Sequence, residues 1–597
     1  MISRCLLLVS CLALPLGVAG QVATVGPDTP VEPAHDPDDV HGEARDAQAA
    51  FERIRLRHSP IRYGGGGGSC DEHVGRFCTT YQEGEWYPRD EAQEIVDARR
   101  ELLAELDSLQ GLAPRDGWIL GQRVWYRGET GDWIGALATA RDCMAEEGWW
   151  CWALQGLALH GAGRFEAARA VFDIALDEMD PEVALEWRVP ERAVDRDARG
   201  LLRDWEEQGG AVLDSGLTWL WALADPLYLF EGNDRMTAHY ARWTVSEIRR
   251  DARNPYGLGW SDDLEELTVR HGWEIGYDRI RRTIGMERDA ATGHKHPEGR
   301  DYMPHGDVLR DPTGAEARDM IAGRVRPGSL YAPPYAPLLL PIESALTVFP
   351  RADSALVVAP VYLPEDTSFH AGHDHPRPWL DAGDQAGMPD RVGFFALPVG
   401  GGEPVAAQTE EGAEGALLLE LPVGAYVLSV ESWSPSQRRA GRYRVGLEIT
   451  PVTPDVPRVS DILLFRSTTP PPASLEDALP RALGRPRISS GDRLSIAWEV
   501  TGLGFRSETL DYAVSVDRTD RGLFRRVGEF LGLADRPQPL ALSWQEPAPE
   551  QPSPQFRYLD LDFPPLDPGD YEISLTLRTR GRSEVVSTRS FEVVSPD

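Results

Sequence analysis

The densest group of potential metal ligands is a short run of histidines, His370, His373 and His375. Alternate residues of an extended segment point to the same side, so His373 and His375 could share one ion that His370 or Asp374 reaches from the turn. Glycine and proline surround the run, and the alternative is a solvated loop. We therefore predict no metal and no cofactor, and keep these three histidines as the minor metal hypothesis.

A run of acidic residues beside a Gly-Trp pair is the second candidate for chemistry. The pair is Gly259-Trp260, and the acidic residues are Asp262, Asp263, Glu265 and Glu266. Acid–base catalysis needs two carboxylates held about 5–10 Å apart with separated pKa values. In an acidic chain such a run is more typical of a solvated face or a helix start, and a tryptophan after glycine more often packs in a core.

Cys5 and Cys11 lie in the first 20 residues, which resemble a signal segment, as argued below. Outside that segment the chain has four cysteines: Cys70, Cys78, Cys143 and Cys151. Both sequential pairs have seven intervening residues, and an even number in an exported chain predicts disulfides. Among three possible connectivities we favour 70–78 and 143–151. The alternative, a four-cysteine zinc site, usually requires closer ligand pairs.

Lysine is almost absent, because Lys295 is the only one among 61 basic residues. Lys295 is therefore the only residue around which a lysine-containing phosphate-binding loop or a buried imine-forming site could be built. Its neighbours His294 and His296 match neither sequence pattern. The chain also lacks the G-x-S-x-G, H-E-x-x-H, C-x-x-C and S-x-x-K signatures of common enzyme classes.

Charge and composition restrict the partners. The net charge of −34 repels phosphate backbones, which argues against nucleic acid as a partner. Apolar residues make up 42% and charged residues 26% of the chain, as in ordinary globular proteins. We predict a polypeptide or a cell-surface component as the partner.

The first 20 residues resemble a secretory signal: Arg4, an apolar stretch, and Val18-Ala19-Gly20 before Gln21. The alternative is lipoprotein processing at Cys11, since Leu8-Val9-Ser10-Cys11 resembles a lipobox. No later stretch is apolar for the ~18 residues that a membrane helix needs. We expect a secreted, periplasmic or cell-envelope protein without a membrane span.

The elements that would position these residues form several domains. At 597 residues the chain is long enough for three to five. The predicted division is a signal peptide (1–20), a disordered to partly helical segment (21–68), a helical repeat domain (69–200), a mixed domain (201–290), a linker (291–340), and two antiparallel β-sandwiches (341–455 and 456–597), the second immunoglobulin-like. The fold class is multidomain α plus β.

The helical domain repeats on itself between residues 117 and 181. Gly131-Asp132-Trp133 recurs as Gly163-Arg164-Phe165, an offset of 32 residues. The second copy resembles a tetratricopeptide repeat through Trp152, Gly156, Ala168, Phe172 and Ala175. That resemblance implies stacked helical hairpins in which Gly156 and Ala168 allow close helix approach.

The mixed domain contains Gly259-Trp260-Ser261-Asp262-Asp263, followed by Arg270-His271-Gly272. This sequence resembles the GWxTD domain of exported bacterial proteins, with Asp262 where that family has threonine. The resemblance implies a short strand after the motif. It implies no activity, because the family is a domain of unknown function without assigned catalytic residues.

These observations favour an exported, non-enzymatic interaction or scaffold protein. One alternative is an extracellular hydrolase that uses Asp262, Asp263 or Glu266 at the GWxTD-like turn. Another is a carbohydrate-binding surface protein, since the chain has 18 tryptophans. The first two differ in whether Asp263 meets a second acid or a histidine in a pocket, or is instead paired or solvent-facing.

Overall fold

A computed structural model describes residues 36–62, 70–79, 86, 89–145, 147–280, 290–316, 320, 327–363, 388–409, 415–467, 469–519, 540–550, 552, 554–561 and 566–595. The predicted signal segment, with Cys11, lies outside the described residues. The described chain is mixed α plus β, with a helical N-terminal half and a C-terminal half rich in sheets.

The helices are α1 (Pro37–His58), α2 (Gln93–Leu112), α3 (Gly117–Glu129), α4 (Trp133–Arg141), α5 (Gly148–Gly161), α6 (Phe165–Glu178), α7 (Pro181–Arg188), α8 (Arg196–Gln208), α9 (Gly210–Ala224), α10 (Asp234–Arg250), α11 (Asp262–His271), α12 (Gly306–Arg310) and α13 (Leu475–Ala478).

The strands of the first half are β1 (Ile61–Arg62), β2 (Glu72–Val74), β3 (Phe77–Thr79), β4 (Gly276–Ile280) and β5 (Ala290–His294). Those that follow are β6 (Leu338–Pro341), β7 (Thr347–Pro350), β8 (Ser354–Val361), β9 (Arg391–Pro398), β10 (Val405–Thr409), β11 (Gly415–Pro422), β12 (Gly424–Ser434) and β13 (Arg439–Ile449). The last are β14 (Arg458–Val459), β15 (Leu463–Arg466), β16 (Arg487–Ser489), β17 (Leu494–Thr501), β18 (Thr509–Arg518), β19 (Leu540–Pro547), β20 (Gln555–Leu561), β21 (Gly569–Thr579) and β22 (Val585–Val594).

Helix α1 begins at Pro37, inside the segment 21–68 that the sequence predicts to be disordered to partly helical. The Asp36 carboxylate caps it by accepting from the Asp38 amide at 3.0 Å. Val40, Ala44 and Phe51 on one face are buried in the same core as α2 and α3. The helical core therefore includes the chain from its first described residues.

Helices α3 to α6 contain the segment that repeats in the sequence. A Cβ atom added to Gly156 would lie 2.6 Å from the ring of Phe172, so α5 and α6 approach closely only because residue 156 is glycine. The disulfide Cys143–Cys151 joins the end of α4 to the start of α5, and Cys70–Cys78 closes the β2–β3 hairpin. Both predicted disulfides are thus present in the structure.

The prediction of a strand after the GWxTD-like motif is wrong, because residues 262–271 form α11. Asp262, Asp263 and Glu265 occupy its first turn, where the helix dipole favours negative charge, and Arg270 and His271 lie in its last turn. Leu264, Leu267 and Thr268 are buried on one side at helical spacing.

The sequence predicts a linker over residues 291–340, but the described parts of this segment pack in the core. Tyr302, Tyr331 and Tyr335 are all less than 8% exposed. Proline and glycine do predict irregular backbone, but that backbone is buried because its polar groups are paired: Arg300 and Tyr331 exchange two backbone hydrogen bonds at 2.8 and 2.9 Å. The segment connects the helical half to the sheets without separating them.

The sheets of the C-terminal half pack in two groups. Strands β10-β9-β12-β13-β6 and β11-β8-β7 share one core, to which Val357 and Phe394 contribute from opposite sheets. Strands β14-β17-β15, with β20 on β17, share a second core with β16-β22-β21-β18-β19 around Trp498. Pairing is antiparallel except for β6 on β13 and β16 on β22, which run parallel.

Among the described helices, none combines the length and apolarity needed to cross a membrane.

Candidate functional site

A cavity of about 560 Å³ opens between the helical half and the small sheet β1-β4-β5. Residues of α1, α2, α3 and α10 form one side, and residues 271–278, 295–299 and 330–334 form the other. Ligand sites of small molecules usually measure about 300–1,000 Å³. The cavity is therefore large enough for a ligand.

Aromatic rings form much of the cavity wall. They are Trp86, Trp125, Trp133, Trp273, Tyr277 and Tyr331. Trp125 and Trp273 meet edge to face with ring centres 5.8 Å apart. Trp133 lies against Gly128 and Gly161, where an added Cβ would come within 2.4 and 2.1 Å of its indole ring. The repeat helices therefore hold at least one of these rings in a fixed position.

Lys295 and Glu274 form a buried ion pair on this wall. The Lys295 ammonium donates to Glu274 Oε1 at 2.7 Å and to the Gly272 carbonyl at 2.5 Å. Its side chain is 19% exposed and that of Glu274 is 4% exposed. The only lysine of the chain thus lies beside the cavity at the end of the GWxTD-like segment.

Glu274 accepts three further hydrogen bonds. Arg249 donates to Oε2 at 2.7 Å, the Tyr277 hydroxyl donates to the same oxygen at 3.1 Å, and the Tyr256 hydroxyl donates to Oε1 at 3.1 Å. Burial by itself would raise the pKa of Glu274, but Lys295 and Arg249 outweigh it and hold the pKa well below its ordinary range. The carboxylate is consequently ionised, and its one charge is shared by two cations.

Lys295 is in a different electrostatic position. Burial lowers the pKa of Lys295 below its ordinary value, and Arg249 and Arg242 act in the same direction, while Glu274 opposes them. Arg242 is buried and donates to the carbonyls of Val269, Arg270 and Leu330. Burial also lowers the pKa of His271, which lines the cavity, so this imidazole is neutral.

A second set of charges lies on the α1–α3 side. Arg55 donates to Glu129 at 2.5 Å. Arg99 forms a bidentate ion pair with Glu91, in which both hydrogen bonds measure 2.6 Å. Burial raises the pKa of Glu129, but Arg55 and Arg99 lower it to a net value below the ordinary one. These pairs leave the aromatic rings as the principal uncharged contact surface of the cavity.

The GWxTD-like acid Asp263 has a structural contact outside the cavity lining. Arg76 of the β2–β3 turn donates to both its oxygens at 2.6 and 2.7 Å, and the Ser261 hydroxyl donates at 2.8 Å. The pKa of Asp263 is lowered, chiefly by the hydrogen bonds from Arg76. Asp263 thus connects the disulfide-closed hairpin to the start of α11.

Arg270 connects the same hairpin to the end of α11. Its guanidinium donates to both carboxylate oxygens of Glu72, at 3.0 and 2.9 Å, and to Glu266 at 2.9 Å. Glu265 pairs with Arg192 at 2.7 Å. Of the acids proposed for hydrolysis, Asp263 and Glu266 therefore lie in ion pairs and Asp262 is exposed, and none of the three lines the cavity.

The remaining motif residues differ in their environment. Gly272 has a φ of 79° and ends α11, and its carbonyl accepts from Lys295, so the motif reaches the cavity at this residue. The Gly259 carbonyl accepts a hydrogen bond from the Arg76 guanidinium at 3.0 Å. Trp260 is half-buried beside Leu264, and Asp262 is exposed.

The histidines 370, 373 and 375 lie outside the described residues. His294 stacks on Trp86 with ring centres 4.1 Å apart and contacts Asp278, while His305 pairs with Asp195. Across the described ranges no group of three or more His, Cys, Asp or Glu side chains is arranged to hold a metal ion.

Sequence reasoning missed the Lys295–Glu274 pair and its two tyrosines. The available signal was the composition, because a chain with a single lysine marks that position. The cavity itself is assembled from segments that lie far apart in the sequence.

Comparisons with known proteins give no family. No family model matches the chain, and no curated protein matches it. Solved structures with matching parts include the FN1–FN3 domains of chicken CNTN1, at 11% identity over 44% of this chain and 69% of that chain, with a TM-score of 0.15. A β-glucuronidase of Bacteroides uniformis matches at 12% identity over 40% of this chain and 26% of that chain, also with a TM-score of 0.15. A Salmonella α-2-macroglobulin matches at 10% identity over 54% and 18% of the two chains, with a TM-score of 0.14.

Proposed function

We propose that this chain is an exported, non-enzymatic interaction protein that binds a polypeptide or another cell-surface component in the aromatic cavity. Helices α3 to α6 serve as a tetratricopeptide-like stack that supports one wall, and His271 and Gly272 at the end of the GWxTD-like segment contribute to the other. The two groups of sheets form immunoglobulin-like sandwiches that act as spacers or as docking domains. The two disulfides suit an oxidising compartment outside the cytoplasm.

The observation that carries this proposal is the combination of aromatic rings and satisfied charges in one opening. Tryptophan and tyrosine offer large contact areas with few rotatable bonds, which lowers the entropy lost on binding. Because Arg55, Arg99 and Glu129 are paired with one another or with neighbours, a ligand does not have to neutralise them. A peptide side chain or chain end fits such a wall.

The hydrolase alternative has less support. Asp263 is paired with Arg76 and Glu266 with Arg270, and neither acid lines the cavity. Ion pairing of this kind stabilises the ionised carboxylate, which disfavours the protonated acid that glycoside hydrolysis requires.

Carbohydrate binding is the second candidate, since four of the rings that line the cavity are tryptophans. Indole faces are suited to pack against the apolar face of a sugar ring and are polar at one edge. Peptide and sugar are therefore tested together.

The test is an array of short peptides and oligosaccharides probed with the mature protein and with Ala332→Phe. Ala332 lines the cavity and is half-buried, so a phenyl ring there fills part of the space. Ala425→Phe, at a half-buried position of β12 outside the lining, is the matched control. We expect array binding that Ala332→Phe removes and Ala425→Phe retains. Binding that both variants retain equally would place the partner elsewhere.

A further inference from the structure

The cavity contains a primary amine that the composition of the chain makes unusual. Of 61 basic residues, 60 are arginine, and the one lysine is among the few basic side chains that line the cavity. Lys295 is 19% exposed, so part of the side chain is open to a ligand.

An ion pair does not explain why residue 295 is lysine. Arg249 pairs with the same carboxylate at 2.7 Å, and Arg55 and Arg99 pair with Glu129 and Glu91 nearby. Arginine therefore serves this purpose throughout the site. What lysine adds is an amine that can lose its proton and form a carbon–nitrogen double bond, which a guanidinium does not do in proteins.

The surroundings favour the neutral amine more than those of an exposed lysine do. Glu274 faces Lys295, but its single charge is shared with Arg249, and Tyr256 and Tyr277 donate to it as well. Arg242 and His271 also line the cavity, and His271 is neutral. Burial together with Arg249 and Arg242 lowers the pKa of Lys295, as described above.

We propose that Lys295 captures a carbonyl ligand, an aldehyde or ketone attached to a ring, as a reversible protonated imine inside the cavity. The ring is specified by the lining, because Trp125, Trp273 and Tyr331 offer aromatic surface in the same cavity as the amine. This inference rests on the proposed function only in assuming that the cavity admits a ligand.

The step balances without an oxidant or a reductant. The ammonium first loses a proton to water, and the nitrogen lone pair attacks the carbonyl carbon to form the C–N bond. The carbonyl oxygen takes up protons and leaves as water when the C–O bond breaks. The net change is one carbonyl group and one ammonium to one protonated imine and one water. The product keeps a positive charge beside Glu274, so the buried carboxylate keeps its partner.

Reductive trapping tests this inference within one chain. The variant Arg45→Lys adds a lysine at an exposed position of α1, so that chain carries the cavity lysine and a surface lysine together. The folded protein is treated with benzaldehyde and sodium cyanoborohydride at neutral pH, and benzylation at each position is followed by peptide mass mapping. We expect benzylation of Lys295 to be several-fold faster than that of the lysine at position 45, because its pKa is lowered and the ring of the aldehyde can pack in the cavity. Acetaldehyde, which has no ring, is expected to show a smaller preference for position 295.

The outcomes separate this inference from the proposed function. Fast benzylation of Lys295 that Ala332→Phe slows, while Ala425→Phe does not, supports capture inside the cavity. Benzylation of Lys295 no faster than at position 45 overturns the imine, even where array binding in the cavity stands. Fast benzylation that Ala332→Phe leaves unchanged overturns capture within the cavity.

Discussion

Glu274→Gln is expected to lower the free energy of unfolding more than any other substitution proposed for this site. The carboxylate receives four donors at 2.7–3.1 Å, from Lys295, Arg249, Tyr256 and Tyr277, and is 4% exposed. A glutamine keeps one acceptor oxygen, and its amide hydrogens point at two of the former donors. Two poorly exposed cations then lose their counter-charge. Removing one partner of a buried ion pair costs about 3–5 kcal/mol, a large part of the roughly 5–15 kcal/mol that stabilises a domain.

Urea unfolding followed by the helical circular dichroism signal measures this loss, because the cavity lies in the helical half. Glu101→Gln is the control, since Glu101 is exposed on α2. Lys295→Met in the Glu274→Gln background removes one unpaired cation and should recover part of the loss. Because the pKa of Glu274 is held below its ordinary range, its contribution is complete above about pH 4.3, the unfolded value, and declines as the pH falls further. A Glu274→Gln protein within about 0.5 kcal/mol of the parent at neutral pH would refute the buried ion-pair account.

Three other predictions concern the supporting structure. Asp263→Asn should release the disulfide-closed hairpin and make tryptic cleavage within residues 70–79 several-fold faster, and an unchanged rate would contradict the contact described for Asp263. Gly161→Ala should destabilise the helical half by about 1–3 kcal/mol, because the new Cβ would meet the Trp133 ring, whereas Gly200→Ala, in open space on α8, should stabilise it by about 0.5–1 kcal/mol. Thermal unfolding distinguishes the two glycines, and equal shifts of the same sign would contradict the packing. Burial raises the pKa of Asp234 to about 7, so unfolding releases its proton and stability should fall by about 3 kcal/mol as the pH rises from about 4 to 7. Asp234→Asn should flatten this slope in unfolding curves measured across that range.

Local patterns in the sequence predicted local structure well. The equal spacing of the cysteine pairs is a local property, and both disulfides are present. The strand patterns of the C-terminal half predicted antiparallel sheets over residues 341–597, and the structure has strands there such as β13, Arg439–Ile449. Turn signals and period-2 alternation act over a few residues, which is why they can be read without the fold.

The segment after the GWxTD-like motif shows a conflict between two kinds of sequence argument. The family resemblance implied a strand, whereas the acidic first turn from Asp262 is typical of a helix start, and residues 262–271 are helical. The local electrostatic signal was the better guide in this case. Trp260, interpreted as a packing residue more often than a binding one, is half-buried.

The cavity could not be predicted, because its parts are distant in sequence. Lys295 and Glu274 are 21 residues apart, and Arg242 reaches the carbonyl of Leu330 across 88. Such pairs depend on how irregular segments pack, and proline and glycine in residues 291–340 signal only a loop. Irregular backbone can line a site where it is hydrogen-bonded, as it is between Arg300 and Tyr331.

The central claim is that the cavity beside Lys295 is the binding site. Calorimetric titration of the strongest peptide or oligosaccharide binder from the array, against the parent protein, Ala332→Phe and Ala425→Phe, tests it most directly. We predict that Ala332→Phe weakens the affinity at least about tenfold, equivalent to about 1.4 kcal/mol, while the affinity of Ala425→Phe stays close to that of the parent. Equal affinities for all three proteins would contradict it.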